Sequence, residues 1–250
     1  MICRIFNAVL NILFSKVQNK INWDSFLLSP IRIRQSAEKI CVAGCPTSKC
    51  WGFIDGTLHE ICRPSGPSDN QRAFFNGRKK IHGIQYQVIT MADGMIILSE
   101  AFPGVTHDAR IFEESNTSLK LEQLLYPDDD GSSNEWYHIF GDKGYVSRGR
   151  RLLSAFLGNA LTADQSMFNN IMSGLRVSVE NIMAKQTSLF KLIDYHKTQK
   201  LQQCPLVQQY TVSMFLVNCH SCLYGNQVSS TFGMSPPSLE RYLEGFANEF

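Results

Sequence analysis

The sequence predicts an α/β protein with a mixed sheet flanked by helices and a helical segment at its N-terminus. Three observations point there. Apolar stretches alternate in the order strand, hairpin, helix, strand, helix, which suits a sheet covered by helices. Hydrophobic residues make up 44% of the 250 and charged residues only 18%, enough apolar material for a large core and below the roughly 25% charge of an average domain. The first twenty residues are periodic at helical spacing rather than strand spacing.

Taken in order, Ile5, Phe6, Val9, Leu10, Ile12, Leu13, Val17 and Ile21 recur as on one amphipathic helix. Residues 23–49 contain Pro30 and Pro46 and read as short helices or turns. The run from Trp51 to Thr57 is a buried strand expected to stop at Asp55 and Gly56. Residues 63–80 are polar and basic, a loop pattern. Ile84 to Thr90 alternates as a strand, Ala92-Asp93-Gly94 supplies a turn, and Met95 to Phe102 returns as the second arm of a hairpin. Ala109 to Ser115 reads as a helix with Asp108 near its N-cap. The acidic stretch 127–133 is a surface loop, and Trp136 to Phe140 is a strand that runs into Gly141-Asp142. After a loop through Gly158 come a long helix over 164–192, another over 210–224, and a short one begun by Ser235-Pro-Pro-Ser. The expected division is a helical segment over 1–50, a domain over 51–243 and a tail over 244–250.

Charge and cysteine use bound the function. The net charge of +2 is a sum of opposed segments. Residues 1–50 carry seven basic and two acidic residues, residues 93–135 carry two and ten, and residues 136–200 carry nine and four. Each run alone is an ordinary solvated face, but together they permit a phosphate-binding surface. No run reaches the roughly 20 apolar residues of a membrane span, and the N-terminal stretch lacks the build of a secretion signal. The eight cysteines then read as reduced thiols. Cys41 and Cys45 have metal-ligand spacing but Cys50 and Cys62 do not, and Cys219 to Cys222 lies in an apolar helical run, so zinc is the weaker reading.

The residues most suggestive of chemistry are Asp55, Asp142 and Glu180. The two aspartates would end neighbouring strands, and Glu180 shares a helix face with Arg176 four residues earlier. Three converging carboxylates repel unless cations join them. Two divalent ions would relieve that repulsion, one activating water or a hydroxyl and the other stabilising a leaving phosphodiester oxygen. Carboxylate ligands favour Mg²⁺ or Mn²⁺. Strand-ending aspartates followed by glycine are equally ordinary turn residues, and Arg176 with Glu180 is an ordinary surface pair, so spacing alone leaves both readings open.

A resemblance weighs on that choice. Gly52-Phe-Ile-Asp55-Gly-Thr57, Gly104-Val-Thr-His107-Asp108-Ala-Arg-Ile-Phe112, Gly141-Asp142-Lys143-Gly-Tyr145 and Phe168-Asn-Asn170 followed by Arg176-Val-Ser-Val-Glu180-Asn181 occur in this order. With Tyr224-Gly225 and Phe232-Gly-Met-Ser-Pro-Pro237, they resemble the motifs of PIF/Harbinger transposases and the nucleases derived from them, whose catalytic region is a DDE superfamily endonuclease domain. The resemblance implies a ribonuclease H-like fold and DNA cleavage dependent on two Mg²⁺ or Mn²⁺ ions, with strand transfer in active transposases. It makes Asp55, Asp142 and Glu180 the metal-binding catalytic triad. It also implies a nuclear location and, as partners, DNA, a Myb-like DNA-binding protein and further copies of the chain. A domesticated copy that binds DNA or protein without cutting is the alternative.

Around the triad, Asp108 is a further metal-ligand candidate that capping would also explain. His107 could touch a phosphate, and Arg176 would orient Glu180. Arg78, Lys79, Lys80, Lys143, Arg148, Arg150 and Arg151 are candidates to grip the DNA backbone. Two departures from the family pattern fall after the glutamate, where Met183 replaces a common aromatic residue and Thr187 a common lysine.

Overall fold

A computed structural model describes residues 2–66, 68–125, 136–145 and 151–244. Helix α1 (Ile2–Asn22) forms as its periodicity predicts, but the apolar set divides. Leu10, Val17 and Ile21 are buried, whereas Ile5, Phe6, Val9 and Ile12 are exposed. Helix α2 (Pro30–Val42) starts with proline at its first turn, where the missing N–H costs nothing. Its Ser36 hydroxyl donates to Trp51 O at 2.7 Å and accepts from Ala92 N at 2.9 Å, fastening the helix to a strand and to a turn at once.

Among the described residues, seven strands form one mixed sheet. Strand β1 (Cys50–Glu60) is central. A short helix α3 (Ser68–Phe74) and the two-residue β2 (Phe75–Asn76) lie within the stretch expected to be loop. Strand β3 (Ile81–Met91) pairs antiparallel with β1 from Gly52↔Met91 to Glu60↔Gly83. The Ala92-Asp93-Gly94 turn forms as expected, with Gly94 at φ 74°, a conformation that costs glycine no steric penalty. It leads to β4 (Ile96–Leu98), and β5 (Phe102–Pro103) pairs further down β3. Strands β6 (His138–Gly141) and β7 (Leu152–Ser154) extend the sheet in parallel on the other side of β1.

One boundary differs from the sequence expectation and matters for the site. Strand β1 does not stop at Asp55; pairing with β3 carries it five residues further. What does stop is its parallel neighbour, because the β1–β6 ladder ends at Ile54↔Gly141. Asp55 and Asp142 are the next residues after the last paired ones on the two strands, side by side where the parallel ladder opens.

Helices cover the sheet. After α4 (Asp108–Glu114) and α5 (Thr117–Leu125) comes α6 (Ala163–Leu189), begun by a capping box between Thr162 and Gln165. Its Asn169 side chain accepts from Phe156 N and donates to Phe156 O, holding the β7 exit against the helix. Then follow α7 (Lys191–Asp194), α8 (Leu206–Tyr224), α9 (Gln227–Phe232) and α10 (Leu239–Tyr242). Helix α8 packs on α1, and its buried Asn218 bonds both backbone groups of Ile96. Buried residues of α1, α2, the sheet, α6 and α8 belong to one continuous apolar core, with Trp51, Phe53, Tyr86 and Phe140 among its largest members. Among the described residues no helix is long and apolar enough to cross a membrane, and all eight cysteines are free.

Candidate active site

The end of the parallel ladder opens into a cleft of about 580 Å³. Asp55 comes from β1, Asp142 from the residue after β6, Asp108 from the start of α4, and Glu180 from the middle of α6; all four line it. Arg176, His107, Arg78, Lys79 and Gln85 line it too. The structure therefore brings together all three carboxylates singled out from sequence, the fourth candidate and both supporting residues.

Each acid is held differently. Asp55 Oδ1 accepts from the Gly56 N–H at 3.0 Å, and Oδ2 accepts from Arg176 Nη1 at 2.8 Å. The other arm of the Arg176 guanidinium reaches Glu180 Oε1 at 3.4 Å, so one cation spans two of the acids. Asp142 Oδ1 accepts from the Gly144 N–H at 2.8 Å, within the 3₁₀ turn Lys143–Tyr145. Burial pushes the Asp55 carboxyl above its ordinary value of 3.8; Arg176 opposes this, and the charges of Asp142 and Asp108 add to it. Asp108 is likewise raised, first by burial and then by Asp142, against the hydrogen bond from Gln85. Asp55 and Asp108 thus each feel Asp142 as a like charge.

Asp108 is not the capping residue that its place before a helix suggested. His107 holds the N-cap position without a side-chain cap bond, and Asp108 is the first helical residue. Its carboxylate instead accepts from Gln85 Nε2 at 2.9 Å. Gly56 permits this approach, since a Cβ there would come within 1.9 Å of Asp108 Oδ1. On the same face of β3, Gln87 donates toward the Asp108 carbonyl at 3.3 Å and to the Tyr145 hydroxyl at 3.1 Å. Gln85 and Gln87 are 6% and 2% exposed, and each leaves its side-chain oxygen without a partner. These two glutamines were missed from sequence because alternation in a hairpin strand reads as apolar inside and polar in solvent. Here α4 and the Lys143–Tyr145 turn lie against the polar face.

The basic candidates separate. Arg78 and Lys79 line the cleft and are exposed, on the turn between β2 and β3. Lys80 is exposed on the same turn, in the left-handed region at φ 57°, and Lys143 is exposed beside Asp142; neither lines the cleft. Arg151 was grouped with these from sequence, but it is only 4% exposed. Its guanidinium lies 4.6 Å above the Trp136 ring and Nη1 donates to Tyr137 O at 3.4 Å, so it braces the start of β7 against the segment that leads into β6. Arg148 and Arg150 lie outside the described residues. Of the two positions that depart from the family pattern, Met183 packs against the core and Thr187 bonds back to its own helix at Ala184 O. The nearby Lys185 turns away from the cleft to donate to Gly225 O and Ser221.

As they stand, no three His, Cys, Asp or Glu side chains among the described residues are grouped tightly enough to hold a metal ion. Two of the acids hold protein donors instead: Arg176 takes Asp55 Oδ2, and Gln85 takes Asp108 Oδ1. The donor chemistry nonetheless suits hard divalent cations: every acid in the cleft offers carboxylate oxygen, and no thiolate lines it.

The family model described as DDE superfamily endonuclease matches residues 54–218, a span containing all four acids. The chain belongs to that family, one of transposase-like nucleases that typically use divalent metals. No curated protein and no solved structure matches the chain.

Proposed function

We propose that this member of the DDE superfamily endonuclease family cuts DNA phosphodiester bonds at the cleft formed by Asp55, Asp142 and Glu180. The observation that carries the reading is the convergence of these three acids, from two adjacent strands and one long helix, within the family-matched span. The subtype we favour is the PIF/Harbinger transposase lineage, on the motif order described above.

In this reading Asp55, Asp142 and Glu180 hold Mg²⁺ or Mn²⁺, with Asp108 at the edge of the same cleft. When bound, two such ions supply an acidified water or hydroxyl nucleophile and charge stabilisation for the leaving oxygen. The chain's own residues do the rest. Gln85 and Gln87 fix Asp108 from below, and Gly56 lets its carboxylate come close. The Gly144 N–H holds Asp142 at the mouth of the opened ladder. Arg78 and Lys79 are placed to take phosphate oxygens of the DNA backbone, where charge positions the substrate without reading its sequence. Target recognition is assigned to a Myb-like partner protein, and the working location to the nucleus.

A second reading, a transposase-derived module that binds DNA or protein without cutting, draws on Arg176 standing between Asp55 and Glu180. Plasmid nicking in Mg²⁺ or Mn²⁺ with the DNA-binding partner separates the two. The first reading expects nicking by the wild type and none by Asp55→Asn or Asp142→Asn. DNA retention without nicking in any of them favours the second.

A further inference from the structure

Arg176 is the charged residue of the cleft whose role is least explained by positioning alone. A residue that merely oriented Glu180 would bond it best. The guanidinium does the reverse, donating to Asp55 at 2.8 Å and to Glu180 only at 3.4 Å. The Arg176 and Asp55 side chains are 20% and 25% exposed, shielded enough for the pair to matter, whereas Glu180 is 57% exposed. Among the described residues Arg176 is the one cation ion-paired to the acids of the cleft. An arginine cannot shed its proton to make way for a metal ion; it can only move. Its anchor is in the middle of α6 and its side chain is long, so the guanidinium can swing off Asp55 without shifting the helix.

We infer that Arg176 is the resident counter-ion of the metal-free cleft and competes with divalent cations for Asp55, so that the ions bind only as it leaves. This rests on the reading of Asp55 and Glu180 as metal ligands. With Gly56 N–H on Oδ1 and Arg176 on Oδ2, both Asp55 oxygens already have donors. A divalent ion on Oδ2 would face the guanidinium across a single oxygen, and the two positive charges repel. The arginine therefore lowers metal affinity, and while no metal is bound it offsets the repulsion between the acids. Displaced, it stays at the cleft with five donors free for a phosphate.

The test uses the protein without DNA. Mn²⁺ is titrated into wild type, Arg176→Gln, Arg176→Lys, Asp55→Asn and the Asp55→Asn/Arg176→Gln double variant, with free Mn²⁺ followed by electron paramagnetic resonance. Thermal melting of each variant with and without Mn²⁺ reports the fold. Arg176→Gln is expected to bind Mn²⁺ at least about tenfold more tightly than wild type, a 1.4 kcal/mol equivalent. It should melt lower than wild type in metal chelator and gain more from Mn²⁺. Arg176→Lys, which keeps the charge but loses the fork, should fall between them and serves if the glutamine variant does not fold. In the Asp55→Asn background the effect of Arg176→Gln should disappear. Equal or weaker Mn²⁺ binding by both Arg176 variants, with binding lost in Asp55→Asn, overturns the competition and leaves the metal site standing. Undiminished binding by Asp55→Asn overturns the metal-site reading and the inference with it.

Discussion

Two Asp–Arg pairs in this molecule use the same chemistry for opposite ends. Asp93 in the β3–β4 turn is fully buried and bonded to Arg32 of α2, and its Oδ1 also accepts from Met95 N at 3.0 Å. Arg32 in turn lies 5.1 Å above the Phe26 ring, and Asn226 caps the Asp93 carbonyl at 2.8 Å. Burial raises both Asp93 and Asp55 above their ordinary value, with an arginine opposing it in each case. The difference is what surrounds the pair. Asp93 meets backbone and an arginine that is itself backed by a ring, and is sealed. Asp55 meets Asp142 and Asp108 at the wall of an open cleft. A paired aspartate is thus structural or chemical according to its other neighbours and its access to solvent, and the pair alone does not tell.

The largest separation of the two should come from removing each aspartate. Asp55→Asn is expected to lower DNA nicking by at least about a thousandfold, the scale of losing a central electrostatic group. It should shift stability by no more than about 1 kcal/mol, since Arg176 keeps Glu180 as a partner and losing the charge relieves the repulsion from Asp142 and Asp108. Asp93→Ala should do the opposite. Leaving Arg32 buried without its partner should cost about 3–5 kcal/mol in denaturant unfolding, with nicking per folded molecule unchanged. If Asp93→Ala unfolded the protein no more readily than Asp55→Asn does, the distinction would collapse.

A smaller effect probes the support beneath the site. Gly56→Ala would drive a methyl group into the Asp108 carboxylate and break its bond with Gln85. The expected outcome is a nicking rate reduced by about tenfold to a hundredfold at a stability cost of about 1 kcal/mol. Wild-type nicking by a folded Gly56→Ala protein would remove Asp108 from the site.

The smallest effect is in the pH dependence of the metal-free protein. A carboxyl whose folded value is raised binds more protons folded than unfolded, so stability falls as pH rises from about 3.8 through the raised value. Asp55→Asn removes one such contribution. Melting in chelator should therefore show the variant gaining on wild type as pH rises across that window. A constant difference would show that Asp55 carries no such penalty.

Much of this was readable from the sequence where local pattern and tertiary need agree. The helical period of residues 5–21, the Asp-Gly turn at Asp93-Gly94 and the apolar strands around Phe53, Val88 and Phe140 all formed. What was not readable depends on long-range pairing. The two-residue strands β2 and β5 exist only because β3 is long enough to take them. Strand β7 exists because β6 offers an open edge, and β1 outruns Asp55 because β3 pairs with it. At the site, the motif order singled out acids that line one cleft, but nothing local marked Gln85 and Gln87 as buried. A strand whose polar face is as covered as its apolar one is recognisable only once α4 is seen to lie there.

The proposed cleavage rests on Asp55 and Asp142 sharing metal ions at the opened end of the parallel ladder. Crystals of the wild-type protein soaked in Mn²⁺ and measured at the manganese absorption edge locate the ion directly. An anomalous peak is expected within coordination distance of carboxylate oxygens of both Asp55 and Asp142, absent from Asp55→Asn crystals. A well-ordered cleft without that peak at saturating Mn²⁺, or a peak at carboxylates elsewhere in the molecule, would contradict it.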